Sequence, residues 1–166
     1  AHTLITDVGS TKQNVIALAR EYLGEHLPRF VPGHPIAGAE KSGVKAARGD
    51  LFQARNVVLT PIAETDPAAV EKIATLWRAC GAQVAQMAAP LHDEVFAAVS
   101  HLPHVLAFAL VDYIARQENA EQLFGFAASG FRDFTRIAGS SPEMWSDICL
   151  ANREAMTSQI SAFEQV

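Results

Sequence analysis

The strand-like segments of this chain stop at Ala88, and this change constrains the fold more than any other feature. Before it, short β-rich runs alternate with helical patterns; after it, residues 90–117 form one helical pattern that is apolar nearly all round. A helix of that kind must be buried on more than one side. We therefore predict an α/β unit over residues 1–88, followed by an all-α unit over residues 89–166.

The first unit alternates strand and helix signals. Helical patterns follow the first and third strands, and the second helix carries Asp66 as its N-cap and Pro67 at its first position. Strands separated by helices indicate a parallel, doubly wound sheet. The predicted strands cover residues 4–8, 29–31, 56–60 and 83–87. The first predicted helix of this unit covers residues 10–27, and the second begins at Pro67, with Val70, Ile73, Ala74 and Trp77 on one face. In the second unit, residues 118–128 and 141–163 carry further helical patterns, the last with Ser141 as its cap and Pro142 at its first position.

Composition excludes several classes of protein. Of the 166 residues, 49% are hydrophobic and 19% charged, which excludes intrinsic disorder, and the net charge of −5 excludes the basic surface of a nucleic-acid-binding protein. The two cysteines, Cys80 and Cys149, lack metal-binding spacing; we expect no metal and a reducing, cytoplasmic location. The most apolar stretch, Val105–Val111, is shorter than the about 20 residues of a membrane span, so we expect no membrane partner.

The N-terminus and the helical half of the chain lead to two further expectations. The N-terminus has neither an initiator Met nor a secretory pattern, and it enters a strand almost at once, so we expect the chain to begin inside a larger protein. An all-helical half of this size and apolarity would be marginally stable alone. We therefore expect a homodimer that shares the helical core.

Two segments of the first unit combine glycines with polar side chains. Asp7–Lys12 follows the first strand, where ligands bind in open parallel sheets; Ser10 either faces such a ligand or caps the next helix together with Gln13. The loop of residues 32–43 places His34 between Gly33 and Pro35, which keeps its backbone extended. His34 is either part of a turn or a general base, because its pKa lies near working pH.

Two segments of the helical unit carry the remaining candidates. Ser100 and His104 share a helical face, with His101 turned aside, and the two histidines either have partners in the core or contact a ligand. Asp133 and Arg136 are three residues apart; they form either a surface ion pair, which the residues alone favour, or an arginine fork for a carboxylate.

Taken in order, these four segments resemble the prephenate dehydrogenase family, and residues 142–145 extend the resemblance over essentially the whole chain. The resemblance implies a Rossmann-like nucleotide-binding domain, here incomplete, followed by a helical domain for dimerisation and substrate binding. The family's G-x-G-x-x-G turn does not occur in this chain. We therefore expect this chain alone to bind cofactor poorly and to be inactive.

The resemblance also implies a reaction and its residues. The reaction is the oxidative decarboxylation of prephenate to 4-hydroxyphenylpyruvate in tyrosine biosynthesis, with NAD, or alternatively NADP, as cofactor. His34 would accept the proton of the 4-hydroxyl group, Ser10 would place that hydroxyl, and Arg136 would bind a substrate carboxylate with Asp133 holding the guanidinium. Further substrate-binding residues would be Ser100, His101, His104, Glu40 and Trp145, and the cofactor would contact Asp7, Ser10 and Pro35.

More than one function is compatible with these residues. An arogenate or dual-substrate cyclohexadienyl dehydrogenase would share the mechanism, and a non-catalytic, tyrosine-sensing dimerisation module would share the long apolar helix. Tyrosine is also a candidate feedback inhibitor. A β-hydroxyacid dehydrogenase is disfavoured, because that family uses a lysine of the helical half and residues 89–166 contain none.

Overall fold

The computed structural model describes residues 3–38 and 43–166. It divides into two compact units, residues 1–94 and 95–166. The first unit contains all the described strands, and the second contains helices alone among the described elements. The order of elements agrees with the predicted α/β segment followed by helices.

Unit 1 contains five short strands in two sheets. β1 (Ile5–Thr6) pairs in parallel with β2 (Phe30–Val31). The second sheet has the order β3-β4-β5, formed by β3 (Gly33–Pro35), β4 (Asn56–Leu59) and β5 (Gln83–Gln86). β4 and β5 are parallel, as predicted, whereas β3 runs antiparallel to β4. The sequence suggested a loop at β3, because a three-residue strand between prolines and glycines has no alternating pattern.

The core of unit 1 is formed by β-strand residues and one face of α2 (Pro67–Ala79). Asp66 caps α2 by accepting a hydrogen bond from the backbone N–H of Ala68 at 2.8 Å, as the sequence predicts. The buried side chains of this helix recur at a spacing of three and four residues, which places them on one face against β4. They are Ala69, Val70, Ile73, Ala74 and Trp77.

The helix after β1 is shorter than predicted and is capped differently. α1 spans Gln13–Tyr22 instead of residues 10–27, and a 3₁₀ helix, Gly24–Arg29, follows it. Gly24 has a φ of 49°, a conformation that favours glycine and ends the α-helix. The N-cap residue is Lys12, without a side-chain cap, so the interpretation of Ser10 as the cap is wrong.

Unit 2 is helical throughout its described elements, and its longest helix begins before the unit boundary. α3 (Ala89–Phe96) continues through a π-helical turn, Ala97–His101, into α4 (Leu102–Ala115). The π turn ends two residues before Pro103, which lacks the N–H of a regular helix and would clash with the preceding turn. The predicted long helix is therefore continuous, and the wider turn accommodates its proline.

Shorter helices complete unit 2. They are α5 (Ala120–Gly125), α6 (Ser129–Thr135), a 3₁₀ turn (Arg136–Gly139), α7 (Pro142–Ala151) and α8 (Arg153–Phe163). Ser141 caps α7, as predicted, through the N–H of Met144. The sequence indicated one helix over residues 141–163, but Asn152 leaves helical geometry and separates α7 from α8.

One helical run, Ala89–Ala115, is long and apolar enough to cross a membrane by length and composition, with a mean hydropathy of 1.6. We expected no apolar segment longer than Val105–Val111, and this expectation was wrong. Two histidines and Pro103 interrupt the apolar run, but they do not end the helix. Core helices of other proteins pass the same test. In α4, only Ala107 is fully buried within this chain.

Candidate functional site

The turn after β1 is built around the carboxylate of Asp7. Its Oδ2 accepts hydrogen bonds from the N–H of Gly9, at 2.9 Å, and from the ammonium group of Lys12. Its Oδ1 accepts from the N–H of Gly33 at 3.0 Å. Oδ1 therefore connects the end of β1 directly to the first residue of β3, whereas Oδ2 holds the turn itself. In the structure, the side chain that the resemblance predicts to contact cofactor shapes this turn.

Lys12 is a fully buried cation in this turn. Its side chain has no exposed surface, and Nζ donates to the carbonyl oxygen of Gly33 at 2.7 Å as well as to Asp7. Burial lowers the pKa of Lys12 below its usual value, while the hydrogen bond and charge of Asp7 act in the opposite direction. The ion pair thus fixes the peptide that leads into His34.

His34 lies on β3, opposite Val58 of β4, and contacts a second histidine. Its Nδ1 lies 2.9 Å from Nε2 of His92, and the two rings meet edge to face with centroids 5.0 Å apart. His92 is fully buried, and its Nδ1 lies 2.8 Å from Oδ1 of Asp93. A continuous chain of polar contacts therefore runs from His34 through His92 to a buried carboxylate.

Asp93 also caps α1, although it lies about 80 residues further along the chain. Its Oδ1 accepts from the N–H of Lys12 at 2.8 Å, and its Oδ2 accepts from the N–H of Gln13 at 2.9 Å. Burial acts to raise the pKa of Asp93, but the contacts to His92, Gln13 and Lys12 outweigh it and hold that pKa below its usual value. The first N–H groups of α1 are therefore occupied by a carboxylate of the chain itself.

In unit 2, the face predicted from Ser100 and His104 is present. Nδ1 of His104 donates to the backbone carbonyl of Ser100 at 2.9 Å, and the half-buried imidazole stacks on Trp145 with centroids 3.6 Å apart and planes 20° apart. Since Nδ1 carries the proton, Nε2 of neutral His104 bears a lone pair. The hydroxyl of Ser100 is not the group that makes this contact.

His101 is placed differently from His104, as the spacing predicted. It is buried, it lies edge to face with Trp145, and its Nδ1 lies 3.3 Å from the carboxamide nitrogen of Asn152. Asn152 therefore donates to His101 and holds it in the interior of unit 2. This arrangement corresponds to the core histidine that the sequence left open as one alternative.

Arg136 lies close enough to His104 to affect its titration. Burial lowers the pKa of His104, and the positive charge of Arg136 lowers it further, whereas the hydrogen bond to Ser100 raises it. Nearby, the indole N–H of Trp145 is buried and has no hydrogen-bond acceptor among the described residues. The cluster of His104, Trp145 and Arg136 thus offers one cation, one unused N–H donor and one neutral imidazole.

The remaining predicted residues differ in what the structure says of them. Ser10 is partly exposed in the turn after β1, and Pro35 is the last residue of β3, opposite Val57. Asp133 is exposed on α6, one turn before Arg136. Glu40 lies outside the described residues. Within residues 3–38 and 43–166, no three His, Cys, Asp or Glu side chains are grouped to hold a metal ion.

The sequence reasoning missed His92 and Asp93. Their signal was a His-Asp pair placed near the start of a strongly apolar helix, where polar side chains are costly to bury unless they have partners. Their partners lie far away in the sequence, at His34 and at the start of α1. The sequence therefore shows the His-Asp pair, but it does not show which residues the pair contacts.

The chain matches two family profiles, which meet just after the last strand, β5. Residues 1–86 match the family profile described as prephenate dehydrogenase, nucleotide-binding domain, and residues 88–166 match prephenate dehydrogenase, dimerization domain. The chain is 47% identical over 152 residues to a prephenate dehydrogenase of Bacillus subtilis, covering 91% of this chain and 41% of that protein. It is 39% identical over 162 residues to a cyclohexadienyl dehydrogenase of Zymomonas mobilis, covering 96% and 55%.

A solved structure is similarly close. The crystal structure of prephenate dehydrogenase from A. aeolicus, in complex with hydroxyphenyl propionate and NAD+, superposes with a TM-score of 0.90 at 44% identity; the match covers 98% of this chain and 56% of that one. The chain therefore spans about half the length of the relatives it matches.

Proposed function

The chain belongs to the prephenate dehydrogenase family, and from this premise we propose that the complete protein catalyses the NAD-dependent oxidative decarboxylation of prephenate to 4-hydroxyphenylpyruvate. The observation that carries the proposal is His34, whose imidazole is held on a short strand by a buried histidine and carboxylate. A rigidly held imidazole beside the turn that follows β1 is suited to act as a general base.

The nucleotide-binding match and the turn after β1 support NAD as the cofactor. When bound, the nicotinamide supplies the acceptor for the hydride. The N-terminus of α1 is filled by Asp93, so the pyrophosphate is not expected there. Ser10 and Pro35 are the proposed contacts of the nicotinamide end, while Asp7 contributes by shaping the turn.

The proposed task of His34 is to move one proton. As the carbon that bears the 4-hydroxyl is oxidised, that hydroxyl must release its proton, and His34 accepts it. Loss of the ring carboxylate as carbon dioxide then leaves negative charge on the ring oxygen, to which His34 returns the proton. No proton is gained or lost overall, so the imidazole ends each turnover in its starting state.

Arg136 is proposed to bind a substrate carboxylate, because it is a permanent cation with two parallel N–H donors. Trp145 adds a buried N–H without an acceptor among the described residues, which suits the same anion. Neutral His104 offers a lone pair to a hydroxyl or amine. These contacts must orient the substrate without over-stabilising the ring carboxylate, which leaves as carbon dioxide.

A homodimer is proposed to cover the apolar surface of unit 2. Within this chain, α4 is almost entirely apolar, yet it buries only Ala107 fully, and Val99 and Tyr113 of the same helical run are 66% and 61% exposed. The match to a dimerization domain supports the same partner, a second copy of the chain. Association would bury the apolar side chains of this helix that are exposed or half-exposed within the single chain.

The runner-up function is a cyclohexadienyl dehydrogenase, which accepts both prephenate and arogenate, and the similarity to such an enzyme favours it over a non-catalytic, tyrosine-sensing module. The test is a spectrophotometric assay of the complete protein with each substrate and with NAD and NADP. We expect turnover with prephenate and NAD. Turnover with arogenate as well would support the runner-up, and absence of turnover with either substrate, in a folded protein that binds NAD, would contradict both.

A further inference from the structure

The contact between His34 and His92 raises the question of which nitrogen of His34 carries the proton. A neutral histidine has one protonated and one unprotonated ring nitrogen, and only the unprotonated one can act as a base. The hydrogen bond made by the other nitrogen decides between them. The described contacts allow the protons to be assigned in order, starting from Asp93.

Asp93 is an acceptor at both of its oxygens. Oδ1 accepts from the N–H of Lys12 and Oδ2 from the N–H of Gln13, and the start of a helix favours negative charge. The carboxylate is therefore ionised and has no proton to donate. Nδ1 of His92, 2.8 Å from Oδ1, must consequently be the donor of their hydrogen bond.

The assignment then passes through the ring of His92. Because Nδ1 of neutral His92 is protonated, its Nε2 bears a lone pair and accepts a hydrogen bond. The group 2.9 Å away is Nδ1 of His34, which must therefore carry a proton. The unprotonated nitrogen of His34 is then Nε2.

We propose that Asp93 and His92 are positioning residues that fix His34 in the tautomer protonated on Nδ1, so that Nε2 is the atom that accepts the proton of the substrate hydroxyl. This inference deepens the proposed function and rests on it for the identity of the substrate. The bond between the hydroxyl oxygen and its proton breaks, and a bond between that proton and Nε2 forms. The imidazolium keeps its hydrogen bond to His92 and is stabilised by the ionised carboxylate beyond it.

The same carboxylate links the base to the turn after β1. Asp93 holds the start of α1 through Lys12 and Gln13, and Lys12 in turn holds the carbonyl of Gly33. The peptide before His34 and the ring of His34 are thus both held by contacts that lead back to Asp93.

The test is a long-range ¹H–¹⁵N correlation spectrum of this chain labelled with ¹⁵N-histidine, recorded at pH about 8, above the ordinary histidine pKa of about 6.5. A His34→Gln spectrum assigns the signals of His34. We expect Nδ1 of His34 to be protonated and Nε2 to be unprotonated. A proton on Nε2 would overturn the proposal, and this result needs neither a variant of the relay nor enzymatic activity.

A second arm uses Asp93→Asn, which keeps an acceptor for α1 but removes the charge that orients His92. We expect His34 to shift toward the tautomer protonated on Nε2, and kcat of the complete protein to fall about 10²- to 10⁴-fold with little change in KM. The matched control is Asp66→Asn, which alters the cap of α2 outside the relay. An unchanged His34 tautomer in Asp93→Asn would overturn the proposal.

The two arms separate this inference from the proposed function. If the complete protein fails to oxidise prephenate while His34 shows the expected tautomer and responds to Asp93→Asn, the proposed substrate is wrong and the relay stands. If the protein oxidises prephenate while the proton of His34 lies on Nε2, the function stands and the relay is wrong.

Discussion

Lys12 donates from Nζ to the carbonyl oxygen of Gly33, 2.7 Å away, and so holds the peptide directly before His34. The lysine is itself fully buried and paired with Asp7, whose carboxylate accepts the N–H of the same glycine. Burying a charged group costs free energy unless it has a partner, so Lys12 can be buried here only because the fold brings Asp7 next to it. Lys12 and Asp7 therefore support the proposed general base.

Replacing Lys12 by Met tests this support. The change leaves Asp7 partly buried without its cation, and removing one partner of a buried pair costs about 3–5 kcal/mol. We expect a free energy of unfolding lower by that amount, measured by urea denaturation. Arg20→Met is the control, because its pair with Glu64 is exposed and worth about 0–1 kcal/mol. Equal losses in the two variants would show that Lys12 has no special role.

The titration of His104 is expected to respond to Arg136. The pKa of His104 lies below its usual value, chiefly through burial and also through the charge of Arg136. Removing a positive neighbour makes protonation easier, so Arg136→Ala should raise the pKa of His104 while leaving the effect of burial. The measurement is an NMR pH titration of the His104 ring, with Arg116→Ala, an exposed arginine of another ion pair, as the control. An unchanged titration would place Arg136 away from His104 in solution.

Arg136→Ala should also weaken substrate binding. Hydrogen bonds to charged groups contribute about 1.5–3 kcal/mol, which corresponds to a KM for prephenate raised roughly 10- to 100-fold. Steady-state kinetics of the complete protein measure this, again beside Arg116→Ala, for which KM should stay the same. A KM unaffected by Arg136→Ala would remove this arginine from the carboxylate site.

The apolar surface of unit 2 predicts the effect of a charge on assembly. Val99→Glu and Tyr113→Glu should weaken the dimer by about 3 kcal/mol or more, at least roughly a hundredfold in Kd, because an unpaired charge would be buried. Sedimentation equilibrium measures the change. Leu76→Glu is the control: Leu76 is 54% exposed, but it lies on α2 of unit 1. Dimers unaffected by both substitutions in unit 2 would mean that another surface associates.

Local signals predicted the elements that depend on neighbouring residues. The cap at Asp66, the buried face of α2 and the cap at Ser141 are all encoded within a few positions, and all are confirmed. The end of α1 was misplaced, although Gly24 and Pro28 were visible. The pairing of β3 and the break at Asn152 depend on partners far away, such as β4 and His101, which no local pattern contains.

The candidate site shows the same difference between local signals and contacts made far along the chain. His34 could be singled out from its neighbours Gly33 and Pro35, but the pair that orients it lies 58 residues further along the chain. Capping by Ser10 was one of two interpretations, because its spacing to Gln13 fits, whereas the N–H of Gln13 is bonded by the carboxylate of Asp93 from another helix. The site assignments and the cytoplasmic location stay predictions.

The central claim is that His34 is the general base, and the kinetics of His34→Asn in the complete protein test it most directly. General-base catalysis contributes about 10²- to 10⁴-fold, so kcat for prephenate should fall by that factor while KM changes little. His26→Asn, which alters an exposed histidine of the 3₁₀ helix after α1, should leave both constants unchanged. A kcat of His34→Asn within about twofold of the unmodified protein would contradict this role of His34.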